Sequence, residues 1–203
     1  LGLWLIESDL YFADLAWHEK WFYSLFQSVT SRSAGLTTLD VQELSAASHF
    51  LMSILMFIGA SPSSAGGGIR TTTFALIVLT IITYALGRRE VRAFRRTINQ
   101  ENIIKSFVVF TAAMMLLVIS IVVIDSLEHS AFSLHRVIFE VCSAFGTTGL
   151  SSGLAQELSP VSQGILMILM FLGRIGLLVV IFYFLPARRR ELFRYPEEDI
   201  IIG

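Results

Sequence analysis

The chain has 203 residues, 54% of them hydrophobic, with a mean hydropathy of +0.70 and a net charge of −1 from 15 Lys and Arg against 16 Asp and Glu. Soluble domains are about 45–50% apolar on a similar count; here the excess is gathered into long runs, which points to an integral membrane protein. The near-neutral charge argues against a nucleic-acid partner. A single cysteine, Cys142, excludes a disulfide framework, and the histidines at 18, 49, 129 and 135 are not paired at metal-ligand spacing.

In chain order, LGLWLI opens without an initiator methionine or a visible leader, so the chain is expected to be the later part of a longer protein. KWFYSLFQSVT (20–30) reads as a short helix and SRSAGLTT (31–38) as a turn of small and hydroxyl residues. Residues 44–87 exceed twice the roughly 20 residues of one span. They are apolar at both ends and interrupted by SPSSAGGGIRTTT (61–73). Pro62 ends a helix, and Gly66, Gly67 and Gly68 do not hold one. An inner helix broken at membrane depth is therefore expected, with free backbone groups tolerated only beside protein or water.

Residues 88–105 carry six of the fifteen basic residues, and VRAFRRTI has a helical pattern suited to anionic lipid or a partner. SFVVFTAAMMLLVISIVVI (106–124) has nineteen residues without a charge and reads as one clean span. After the polar stretch 125–133, LHRVIFEVCSAF (134–145) reads as a short amphipathic helix, and 146–152 as a second Gly/Thr-rich turn. Residues 161–187 make a further span with one charge, Arg174, and the tail 188–203 holds four arginines. Basic residues favour the cytoplasmic side, which sets 88–105 and the C-terminus inside and 125–133 outside.

The chain repeats itself. KWFYSLFQSVT lies over LHRVIFEVCSA (134–144), and SRSAGLTT over FGTTGLSS (145–152), which sets Gly35 on Gly149 and Leu36 on Leu150. The fold class expected is an all-α integral membrane protein of helix–pore loop–helix units, present twice, the first without most of its outer helix. Glycine lets such a loop turn its carbonyl oxygens toward an axis, where they replace the water shell of an alkali cation. Hydroxyls of Ser33, Thr147 or Thr148 would add oxygens. The plainer reading is two re-entrant loops that only pack the fold.

SVTSRSAGLTT, MFIGASPSSAGGGIRTTT, EVCSAFGTTGLSSG, MFLGRIG and RYPEED together resemble the Ktr/Trk/HKT potassium transporters, most of all the membrane subunit of bacterial Ktr-type uptake systems. The resemblance implies that residues 1–87 end a third repeat and 106–187 form a fourth, in a potassium-channel-like pore. It implies a selectivity filter at Ser33, Ala34, Gly35, Leu36, Thr147, Thr148, Gly149 and Leu150. It implies a gate loop over Ala60, Ser61, Pro62, Ser63, Ser64, Ala65, Gly66, Gly67 and Gly68. Arg174 would face the pore beneath the filter, as a cationic barrier or a pin for loop carbonyls; an ion pair or backbone anchor is the alternative. The transported ion would be K+, with Na+ assisting and no nucleotide bound by this chain. The partners implied are membrane lipid, a second copy in a homodimer, and a cytosolic nucleotide-binding (RCK-type) ring.

Arg70 reads as a buried structural or snorkelling residue, Arg32 as an anchor behind the first loop, and Glu140 as a network anchor. Asp125, Glu128 and His129 read as a solvated face, and His49 and Cys142 as packing residues. Two other function classes are weighed: an intramembrane serine hydrolase built on Ser61 and His49, and a non-conducting membrane assembly module.

Overall fold

The computed structural model describes residues 2–176 apart from Asp9, Asp14, Ser33, Ser63, Ala65, Arg89, Phe94, Arg95 and Ser130. Seven α-helices run in the order α1 (Gly2–Glu7), α2 (Trp17–Thr30), α3 (Ala46–Phe57), α4 (Thr71–Ala85), α5 (Gln100–Leu127), α6 (Leu134–Gly146) and α7 (Pro160–Ile175).

Helix α6 is the hub: it packs on α3, α5 and α7, while α4 packs on α5. Its residues from Phe139 to Gly146 are all buried, with Phe139 at 0% exposure and Phe145 at 1%. A helix buried on every side belongs to an interior. Met52 and Met56 of α3, Leu117 and Ile124 of α5, and Leu166 and Leu169 of α7 complete the core around it.

Helix α5 shows what surrounds the bundle. Val109, Ala113, Leu117, Ser120 and Ile124 form its buried stripe. Its other faces carry exposed Phe107, Val108, Met114, Met115, Val118, Ile119, Val122 and Val123. A helix apolar on both the packed and the open side fits a hydrocarbon surround, and its 28 residues rise about 42 Å. It is the one described helix long and apolar enough to cross a membrane.

Two sequence expectations change. The helical pattern in VRAFRRTI is not realised: β1 (Arg92–Ala93) pairs antiparallel with β2 (Arg96–Thr97), and the Ile98 amide donates to the Val91 carbonyl at 3.0 Å. Gly87 ends the preceding helix at φ 68, and the side chain of Asn99 caps the next by accepting from the Glu101 amide at 3.1 Å. The gap is too short for a stable isolated helix. Residues 100–105, read as loop, are instead the first turns of α5, tied by a Lys105–Glu101 pair at 2.7 Å. The span read as 161–187 is helical to Ile175 and stops at Gly176, which has φ 89; 177–187 lie outside the described residues, as does the tail.

Glu128, read as solvated, is a structural clamp. Its Oε1 accepts from the Ser159 amide at 3.0 Å and from the hydroxyls of Ser159 and Ser162, both at 2.7 Å, fastening the end of α5 to the start of α7. Glu7 does the same for α3: its Oε1 accepts from the amide and hydroxyl of Ser45 at 3.0 and 2.6 Å. The hydroxyls of Ser162 and Ser159, with the Ser159 amide, hold the Glu128 carboxyl below the usual carboxylate range. A depressed folded-state value stabilises the fold above the unfolded value and loses that contribution as pH falls through the folded one. The melting temperature of the full-length protein in detergent should therefore drop as pH falls below the ordinary 4.5. Glu128→Gln should lower the melting temperature at neutral pH and flatten that acid slope. An unchanged slope in Glu128→Gln would remove the clamp from the account.

Candidate functional site

Each of the two small-residue turns follows a short helix and is tied back to it. Thr30 Oγ1, at the end of α2, donates to the Leu36 carbonyl at 2.5 Å. Ser143 Oγ, near the end of α6, donates to the Leu150 carbonyl at 2.5 Å. Between these anchors the chain turns through a left-handed glycine, Gly35 at φ 67 and Gly149 at φ 89. The anchors are 113 positions apart and the glycines 114, so the second loop has one residue more. The constant offset read from the sequence is thus wrong within the helices by one position.

The loops meet at their glycines. A Cβ added at Gly35 would stand 3.4 Å from the Gly149 Cα and collide with the Thr148 carbonyl; one added at Gly149 would stand 3.7 Å from the Gly35 Cα. Thr148 Oγ1 donates to the Ser31 carbonyl at 3.4 Å, joining the loops a second time. Ala34, Leu36 and Gly149 are exposed, Gly35 and Thr147 half-buried, Thr148 and Leu150 buried. Ser33 lies outside the described residues. The Thr147 hydroxyl accepts from the Gly67 amide at 2.9 Å. Both threonine hydroxyls and both leucine carbonyls thus have partners within the protein.

Behind the second loop stands Glu140, 5% exposed. Its Oε1 accepts from Ser151 Oγ at 2.6 Å, the Ser152 amide at 2.8 Å and Ser152 Oγ at 3.1 Å. Arg136 Nη2 donates to the Ser152 carbonyl at 2.9 Å. Glu140 is a network anchor, as its place on the helix suggests. The sequence reading misses Arg136 and Ser143; a donor in the first or the last turn of a short helix that precedes a Gly/Ser loop is the signal that would find them.

The segment between α3 and α4 is not helical. It leaves and returns at one place: Ile58 and Ile69 form an isolated parallel bridge, the Ile69 amide donates to Phe57 O at 3.1 Å, and the Thr71 amide to Ala60 O at 3.4 Å. Ser61, Pro62 and Ser64 are exposed, Gly66 and Gly68 half-buried, Ala60 and Gly67 buried; Ser63 and Ala65 lie outside the described residues. Arg70, expected to be buried, is exposed and donates from Nη1 to the Pro62 carbonyl at 2.9 Å. Its charge reaches back over the loop instead of entering the core.

Arg174 is exposed in the last turn of α7. Its neighbour Gly173 touches the end of α6, where a Cβ would collide with the Phe145 carbonyl; a Cβ at Gly67 would stand 3.1 Å from the Gly173 carbonyl. Arg174 therefore sits one residue from the contact between loop and helix. Arg32 is exposed beside the first loop.

Ser61 and His49 are not a catalytic pair. They flank α3 from opposite ends, and the eight positions from His49 to Phe57 alone rise about 12 Å. The His49 ring stacks on His135 at 5.4 Å, with Nε2 2.7 Å from the Val41 carbonyl.

The family model described as "TrkH: Cation transport protein" matches residues 1–191. The Ktr system potassium uptake protein D of Bacillus subtilis is 44% identical over 203 residues, 100% of this chain and 45% of that protein. The potassium/sodium uptake protein NtpJ of Enterococcus hirae is 34% identical over 91% of this chain and 42% of its own length. The crystal structure of the potassium transporter TrkH from Vibrio parahaemolyticus superposes with a TM-score of 0.73 at 17% identity, covering 91% of this chain and 41% of that one. The chain thus spans less than half the length of these relatives. It belongs to the TrkH cation transport protein family.

Proposed function

We propose that this chain supplies two of the loops lining a potassium path across the cytoplasmic membrane, as part of the pore-forming subunit of a Ktr/Trk-type uptake system. The observation that carries the reading is the meeting of two left-handed glycines, Gly35 and Gly149, backbone to backbone, with Gly149 exposed and Gly35 half-buried. Carbonyl oxygens held there by the ties at Leu36 and Leu150 replace the hydration shell of an alkali cation without a fixed charge to trap it. Ala34, Gly35, Thr148 and Gly149 would supply these oxygens. Relatives named for potassium uptake and for potassium/sodium uptake support the ion class; sodium would assist rather than replace potassium.

Residues 60–68 act as the gate in this reading, because this turn, exposed at Ser61, Pro62 and Ser64, meets the second loop through the contact of Gly67 with Thr147. Arg174 adds positive charge at the same level. The basic hairpin 88–98 lies on the cytoplasmic side against anionic lipid and, with the tail, meets a second copy and a nucleotide-binding regulatory ring. Nucleotide would act through that ring, since no phosphate-binding motif occurs in this chain.

The test is rubidium uptake and potassium-limited growth with the full-length protein. Gly149→Asp adds a charged side chain where φ is 89, and should cut uptake at least about tenfold, the weight of such backbone strain. Deleting Ala65 to Gly68 should raise uptake and free it from regulation. If both variants accumulate in the membrane with wild-type flux, the loops are scaffolding and the reading falls.

A further inference from the structure

We infer that Thr147 is the latch of the loop 60–68: its hydroxyl holds the loop shut and ties the loop's position to the second glycine turn. The inference rests on the gate reading above and adds a residue to it.

Three observations carry it. The Gly67 amide donates to Thr147 Oγ1 at 2.9 Å, which ties the returning arm of the loop to the end of α6, whereas the exposed Pro62 is held only by Arg70 at the start of α4 among the described bonds. The fit is close on both sides: a Cβ at Gly67 would stand 2.7 Å from Thr147 Oγ1 and 2.8 Å from Thr147 Cγ2. Gly67 is buried although Ser61, Pro62 and Ser64 on the same loop are exposed. It is the tongue in a slot whose walls are the Thr147 side chain and the Gly173 carbonyl.

The third observation is backbone cost. Thr147 ends α6 in the left-handed region at φ 49 and ψ 38. That position is commonly a glycine, and a β-branched residue there is a genuine outlier. The chain has glycines at 146 and 149 but a threonine at 147. A side chain kept where glycine would be easier is one that is used, and its hydroxyl meets the loop. Because Thr147 N donates to Ala144 O at 3.1 Å and Thr148 N to Ser143 O at 3.0 Å, the same turn also sets the start of the second loop. Release of Gly67 frees the hydroxyl of a residue that is one peptide from Thr148 and two from Gly149. Thr147 is a positioning residue, acting on the path through Gly67.

Valine is the discriminating substitute. It keeps the β-branch, so the left-handed turn costs the same, and it removes only the acceptor. In full-length protein, Thr147→Val should raise rubidium uptake in the non-activated state about fivefold, the weight of one ordinary hydrogen bond. It should leave the preference for potassium over sodium unchanged, because the carbonyls remain. Thr147→Ser keeps the acceptor and should restore most of the closure. Thr147→Val combined with deletion of Ala65 to Gly68 should conduct no more than the deletion alone, since both remove one contact.

If the deletion raises uptake and Thr147→Val does not, the latch is wrong and the gate stands. If neither raises it, the gate reading fails and takes the latch with it. If Thr147→Val lowers uptake and shifts the potassium preference, the hydroxyl is an ion ligand and the latch is overturned. Should Thr147→Val fail to accumulate, Gly67→Ala tests the slot from its other side. Its methyl displaces the loop and should raise uptake equally; wild-type uptake in accumulated Gly67→Ala protein overturns the latch.

Discussion

Buried backbone groups must be met from inside the protein, and those of Leu150 and Ser152 in the turn after α6 are such a case. Leu150 is 3% exposed and Ser152 0%, and in a membrane setting no bulk water replaces a missing partner. The surrounding residues follow from that constraint. Glu140 takes the Ser152 amide, Arg136 the Ser152 carbonyl, and Ser143 the Leu150 carbonyl. Remove any one and a buried group is left open, which costs more than the bond itself is worth. The loop keeps its shape because it is over-determined.

The same logic joins the helices. Glu7 at the end of α1 and Glu128 after α5 each place one carboxylate oxygen on a serine that caps the next helix but one, Ser45 for α3 and Ser159 for α7. Each clamp crosses an intervening short helix and loop, so it fixes the distance over which the loop must close. A carboxylate near a helix N-terminus is also favoured by the helix dipole. The two halves of the chain thus use one device at matching places, with the loops suspended between clamped ends.

Much of this was legible in the sequence. The apolar runs marked α3, α4, α5 and α7, and Pro62 with three glycines marked the stretch where α3 and α4 separate. Gly35 and Gly149 stood out because a repeat aligned them. What was not legible was set by tertiary contact. The one-residue difference between the loops is hidden because the short helices share shape rather than sequence, and only the hydroxyl ties of Thr30 and Ser143 reveal it. Glu128 looked solvated because its partners lie more than 30 positions away. Arg70 looked buried because an apolar helix follows it, but its long side chain turns back to Pro62. The hairpin at 92–97 replaced an expected helix because caps on both sides left too little length for one.

Beneath the loops, the chain crosses itself backbone to backbone. A Cβ at Gly59 would collide with the Gly67 carbonyl, one at Gly146 would stand 2.6 Å from the Met56 carbonyl, and one at Gly173 would collide with the Phe145 carbonyl. The ends of α3 and α6 and the last turn of α7 are therefore locked at van der Waals distance, and such interiors do not deform continuously. The loop 60–68 is the exception at this level, with Ser61, Pro62 and Ser64 exposed and a base pinned at Ile58 and Ile69. Segments of that kind open at the lowest free energy. The crossing thus leaves the exposed Ser61, Pro62 and Ser64 as the least enclosed described backbone at this level.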